Sequence, residues 1–334
     1  MKKRTKIWII SVSSVLIILA GFILIYYFGA TYPKYNSMAK QEFKIAGLED
    51  GLVPQGLCFI EEENIWLISG YMADGSKDSR IYVVDAENAE NNKFFNITGA
   101  ENQFAKGHFG GVSYAGENVF VASEGHLLTL NLREVLSVEN GGAVEIKNVF
   151  NTKTGADFLF CDGDFLWVGD FYRSGVENTP TSHHIEISKT EKNYAIALKF
   201  EINQNEDSGI NQTPVLALSI PNQVQGFAQI QDGKIILTTS YSLPDSIIYV
   251  FDNPIELENK KTITLDFGEI PLKVLCAKNL IQNFEAPTMA EAIDITGEKV
   301  YILYESACDK YKMVTRTRNN FVESLKIEDL IKQN

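Results

Sequence analysis

The chain has 334 residues, 45% of them hydrophobic, and a formal net charge of −13. That length is enough for one large buried core or two smaller ones. Lys2, Lys3, Arg4 and Lys6 all precede the first hydrophobic run, so the rest of the chain is more acidic still, and a body of that sign repels a phosphate backbone, which excludes nucleic acid as the expected partner.

From Ile7 to Ala30 no residue carries a charge. At about 1.5 Å per helical residue this stretch spans a hydrocarbon core of roughly 30 Å. A cleaved signal peptide has a shorter apolar region ending in a small-x-small site, and Phe28-Gly29-Ala30 is a poor match to one. Cations lie before the run and none follows until Lys34, which predicts a cytoplasmic N-terminus. The expected organisation is a basic tail at 1–6, a transmembrane signal-anchor helix at 7–30, a linker at 31–44 and an extracytoplasmic domain at 45–334. The protein is then a single-pass cell-membrane protein.

Beyond the linker a unit of short strand, polar turn and strongly apolar strand recurs five times. It reads QGLCFIEEENIWLISGY from Gln55, GGVSYAGENVFVASEG from Gly110, ADFLFCDGDFLWVGDFY from Ala156, QGFAQIQDGKIILTTSY from Gln225 and EAIDITGEKVYILYES from Glu291. Each turn holds Gly or Asn with acidic neighbours, for example Glu63-Asn64, Asp162-Gly163 and Asp232-Gly233; these residue types tolerate the positive φ that tight hairpins need. A third strand follows in most units (RIYVVDAE, HLLTLNLRE, AIALKFEI, SIIYVFDN), and EIKNVFN and VLALSIP suit a fourth. The pattern predicts an all-β propeller of five blades, or six if the interval from Thr262 to Ala286 holds a degenerate unit; the rival is a large β-sandwich or a pair of β domains. EFKIAG at 42–47 is placed to close the ring beside the C-terminal segments MVTRTR and FVESLKI, which hides the sheet edges.

Cys58, Cys161, Cys276 and Cys308 show no metal-binding spacing and read as buried small side chains, or with Cys276 and Cys308 as one oxidised pair.

The first residues of the innermost strands converge on a propeller axis. Here these are Gln55, Gly110, Ala156 with Asp157, Gln225 and Glu291, with His108 two residues before the second repeat. The ends of the second strands, Tyr71, Glu124, Asp170, Tyr241 and Glu305, are expected at the opposite mouth. The axial set either binds a ligand through Gln55, His108, Asp157, Gln225 and Glu291, holds a hard cation through Asp157 and Glu291, or positions a water for hydrolysis with His108 or Glu291 as base. Asp157 and Glu291 also offer a carboxylate pair of the kind glycoside hydrolysis uses. A ring of hydrogen-bonding side chains that simply fills the axis is the structural alternative. The glycines of GHFGGV suit close backbone approach, His126 is an ordinary turn residue, and His183-His184 reads as an exposed insertion. No serine-hydrolase or zinc-hydrolase motif is present.

PQGL, GHFGGV, ADFLFCDGDFLWVGDF, VQGFAQI, PTMAEAI and YESACDKY together resemble uncharacterised bacterial secreted or membrane-anchored propeller proteins over about residues 45–315. More distantly the chain resembles the strictosidine synthase, senescence-marker and paraoxonase superfamily. That resemblance implies six blades, a channel calcium and, in some members, lactonase or esterase activity, with His108 matching a histidine-glycine element. This chain has Gln55, Gly110 and Gln225 where that calcium site is rich in Asn, Asp and Glu.

The expected function is a membrane-tethered propeller binding a ligand or cell-surface protein at its channel face. The alternatives are a metal-assisted hydrolase of a lactone, ester or glycan, with calcium as the implied cofactor and His108, Asp157 and Glu291 as candidate catalytic residues, and a structural scaffold.

Overall fold

The computed structural model describes residues 29–332 together with Ile18 and Gly21. The expected transmembrane span at 7–30 lies almost wholly outside the described residues. Among those described, no helix is long and apolar enough to cross a membrane.

Five antiparallel sheets follow one another along the chain. The first blade runs from inside to outside as Leu52–Ile60, Ile65–Met72, Arg80–Asp85 and Asn92–Thr98, with Gly142–Glu145 added in parallel at its edge. The second is Gly111–Ala115, Asn118–Ser123, His126–Asn131 and Asn148–Asn151. The third is Phe158–Cys161, Phe165–Gly169, Ala195–Glu201 and Leu216–Ile220, and the fourth is Val224–Gln229, Ile235–Thr239, Ser246–Phe251 and Leu280–Ala286. The fifth combines Ala290–Thr296, Lys299–Tyr304 and Phe321–Lys326 with Lys40–Lys44 from the other end of the chain. Each innermost strand contacts its counterparts in two neighbouring blades, and the series returns from the fifth blade to the first.

All five predicted hairpins carry a residue at positive φ, namely Asn64, Gly116, Gly163, Gly233 and Gly297. The interval 262–286 holds no sixth blade: Thr262–Leu265 and Gly268–Val274 form a hairpin that extends the third sheet, and Leu280–Ala286 is the outer strand of the fourth.

Apolar side chains pack between adjacent sheets. Cys58, Leu67, Val112 and Val121 lie between the first two blades, and Trp167, Phe227, Ile236 and Ile293 link the third, fourth and fifth. Two glycines of the inner strands have a specific task. A Cβ on Gly56 would stand 2.6 Å from the backbone nitrogen of Val112, and one on Gly226 would stand 2.6 Å from the carbonyl of Glu291. Their absent side chains let neighbouring inner strands meet backbone to backbone near the axis. Hydroxyls of the second strands then donate across the seam, Ser69 to the Phe109 carbonyl at 2.9 Å and Thr238 to the Glu291 carbonyl at 2.6 Å.

Residues 31–44 are not a linker. Pro33–Met38 is a helix and Lys40–Lys44 is the outer strand of the fifth blade, paired with Phe321–Lys326. Tyr35 is 1% exposed; its hydroxyl donates to Glu323 at 2.6 Å and accepts from Tyr304 at 2.6 Å. Burial of one aromatic side chain with two hydrogen bonds fixes this segment in place. Of the two C-terminal segments expected at the closure, only FVESLKI forms a strand; MVTRTR is turn and coil. The Cys276–Cys308 pairing is also overturned. All four cysteines are free, and these two belong to different apolar clusters, one at the third blade and one at the first and fifth.

If the N-terminal segment closes the ring, Tyr35→Ala lowers unfolding free energy by about 3–5 kcal/mol. Tyr35→Phe, which leaves the Tyr304 hydroxyl without its acceptor and Glu323 with Asn319 as a remaining donor, lowers it by about 1–3 kcal/mol. Chemical denaturation of the full chain followed by tryptophan fluorescence measures both.

Candidate functional site

One mouth of the channel opens into a cavity of about 1240 Å³ lined by all five blades. In each first hairpin the inner strand begins opposite the point where the second strand ends: Val53 pairs with Tyr71, Phe158 with Gly169, Val224 with Thr239 and Ala290 with Tyr304. The two sets of residues expected at opposite mouths therefore share one. Gln55, His108, Gly110, Asp157 and Gln225 line the cavity together with Tyr71, Glu124, Asp170, Tyr241 and Glu305. Four inner strands are entered through non-glycine residues at positive φ, Phe109, Ala156, Gln223 and Met289. Such conformations cost about 1–3 kcal/mol each and recur where side chains must be aimed.

On the side of the first and fifth blades, Glu291 and Glu305 are both more than 90% buried and face each other. Gln55 donates to Glu305 at 3.0 Å and Ser240 donates to Glu291 at 3.4 Å. Burial and the Glu305 charge push Glu291 far above the carboxylate range, and burial alone raises Glu305 to about 7 against the opposing effects of Lys310 and Gln55. Two carboxylates in low dielectric cannot both ionise, so the pair holds a proton at neutral pH. Above them, Lys310 donates to the Tyr71 hydroxyl at 2.7 Å, and its ammonium lies 4.7 Å from the Tyr71 ring centre and 5.0 Å from that of Tyr311. His108 meets the Tyr71 ring edge-on at 4.6 Å, and desolvation and the Lys310 charge lower its pKa to about 4. That imidazole stays neutral at physiological pH.

On the side of the third and fourth blades, Asp157 accepts from the Phe171 amide at 2.6 Å, and burial raises its pKa to about 7. Asp170 accepts from the amides of Gly155 at 2.8 Å and Ile196 at 3.1 Å, and binds Nδ1 of His183 at 2.8 Å. The expected exposed insertion is thus half wrong: His183 is 2% exposed and lines the cavity, because Asp170 draws it inward, while His184 packs against Tyr172 and Tyr194. Arg173 stacks on Tyr241 with 3.5 Å from guanidinium carbon to ring centre.

Asp157 and Glu291 do not share a site. Asp157 feels Asp170 and Glu177, whereas Glu291 feels Glu305. Asp157 lines the cavity and Glu291 is not among its lining residues, so the carboxylate pair considered for glycoside hydrolysis is not presented together there. The same donor set does not fit a resident calcium: no three His, Cys, Asp or Glu side chains gather in metal-binding geometry among the described residues, and Gln55 turns its amide nitrogen, not its oxygen, toward Glu305.

No family model matches the chain, and no curated protein matches its sequence. Solved structures are similar in overall shape, at TM-scores below 0.5. The PQQ-bound aldose sugar dehydrogenase from Streptomyces coelicolor is similar with 11% identity and a TM-score of 0.43, over 86% of this chain and 97% of that one. A nidogen/laminin complex is similar at 9% and 0.40, over 76% and 73%, and BamB from Moraxella catarrhalis at 10% and 0.32, over 81% and 84%. These likenesses concern architecture only.

At the far end of the inner strands Asp294 accepts from the Phe59 amide at 2.6 Å, and burial raises its pKa from 3.8 to about 7. Asp157 and Asp294 in the folded chain thus keep protons that the unfolded chain releases near pH 4. More protons on the folded state means that stability falls as pH rises from about 4 to 7 and levels off above it. Each group contributes at most roughly 4 kcal/mol to that fall. Asp294→Asn should flatten the slope of unfolding free energy between pH 5 and 8; an unchanged slope would show that its carboxyl is ionised throughout.

Proposed function

We propose that the protein is a membrane-tethered propeller whose extracytoplasmic mouth binds a small polar ligand. The observation that carries this reading is a cavity built by all five blades, in which buried ionisable groups, aromatic faces and carboxamides converge. Few polar groups placed in a sizeable concavity are the usual make-up of a small-molecule site. The tether rests on the uncharged run from Ile7 to Ala30 and the cations before it.

Binding raises the unfolding free energy with the logarithm of ligand concentration over Kd, by about 2.7 kcal/mol at a hundredfold excess, and the unfolding midpoint rises with it. Full-length protein in mild detergent, screened by thermal unfolding against amino acids, amines, sugars and nucleotides, should yield a stabiliser whose effect weakens in Gln225→Trp, which places an indole in the cavity. A stabiliser equally effective on that variant would place the site elsewhere. Protease digestion of a C-terminal tag on intact cells checks the orientation; a protected tag contradicts it.

Hydrolysis is a second reading, favoured by one observation: His183 is buried against Asp170 through Nδ1, an arrangement that orients an imidazole as a base with its other nitrogen available. Asp157, held near neutrality, is the accompanying acid. On this reading the metal is dispensable. His183→Asn then abolishes turnover of ester probes such as p-nitrophenyl acetate while ligand-induced stabilisation persists; turnover unchanged in the variant rejects it.

A further inference from the structure

We propose that the ligand of this cavity carries a primary ammonium group, which displaces the ammonium of Lys310 from the faces of Tyr71 and Tyr311 and comes to rest beside Glu305. The inference rests on the binding reading above and names the class of ligand.

Lys310 already shows how the mouth treats such a group. It belongs to the turn following Glu305, is itself exposed, and reaches inward to two tyrosine faces and one tyrosine hydroxyl. Its charge acts on Glu305 and His108. An ammonium over two tyrosine rings next to a carboxyl is a recurring way of recognising amines. The exposed side chain on a turn forms no ion pair among the described residues, so an incoming amine competes with it at little cost.

The balance of charge in the lining points the same way. Six carboxyl-bearing residues face the cavity, against the cations Lys153 and Lys310. Lys153 is occupied by Asp266 at 3.3 Å. A cavity of that sign disfavours carboxylates and phosphates and draws in cations. The incoming ammonium takes the place of the Lys310 charge that already acts on Glu305, so the Glu291–Glu305 pair keeps one cation beside it.

Isothermal titration of the full-length chain with n-butylamine, butyrate and glucose tests the proposal. The expected result is that butylamine binds and butyrate does not. In Lys310→Met the affinity for butylamine should rise about tenfold, and in Glu305→Gln it should fall about tenfold, with near-ultraviolet circular dichroism showing both variants folded. An affinity for butylamine that is unchanged or lower in Lys310→Met overturns the displacement. Butyrate or glucose binding in a Gln225→Trp-sensitive manner, without amine binding, overturns the amine class and leaves the binding site standing. If none of the three binds, the amine proposal fails. The binding-site reading itself fails only if the wider thermal screen also finds no stabiliser.

Discussion

Everything at the channel mouth depends on the ring being closed. Five sheets packed side by side have two free faces unless the last meets the first, and here the meeting is made by Lys40–Lys44, added to a sheet whose other strands come from the end of the chain. Tyr35 secures that strand from behind through Glu323 and Tyr304. In front, Phe43 packs on Trp66 of the first blade at 5.3 Å, with Tyr301 at 4.7 Å from the same indole. The closure thus joins the fifth blade to the first through one aromatic cluster, and Gln55 reaches Glu305 only because those two blades are neighbours.

The buried charges follow from this geometry. Inner strands that touch backbone to backbone leave no room for water among their first residues, so a carboxyl there loses solvation and takes up a proton. Glu291, Glu305 and Asp157 are the result. Each is held by a hydrogen bond from another part of the wall, which offsets part of the cost of burial. A group kept near its titration point responds to a charged visitor with little reorganisation, and this makes the mouth suited to polar ligands.

Much of the fold is legible in the sequence because the repeat is local. Turn glycines and asparagines, β-branched second strands and the inner-strand glycines all carry meaning within about twenty residues. The same locality explains what is missed. Glu305 and Gln55 stand 250 positions apart, and no periodic signal announces their contact. His183 lies in a polar run that looks exposed, and only the buried Asp170 turns it inward. Lys310 and Tyr311 sit in a loop without repeat character. The misassignment of the second-strand ends to the opposite mouth is different in kind, since antiparallel pairing alone places them beside the first-strand starts. The ring-closing strand is legible at 42–47, whereas the helix Pro33–Met38 and the start of the strand at Lys40 look like linker because one short helical turn carries little signal.

Native-state hydrogen exchange on the full chain, followed by mass spectrometry at increasing denaturant, tests most directly whether closure makes one unit of five blades. The account predicts that amides of the inner strands Leu52–Ile60, Gly111–Ala115, Phe158–Cys161, Val224–Gln229 and Ala290–Thr296 exchange through a single opening of the same free energy. Separate openings, with one or two blades exchanging well below the rest, would contradict it.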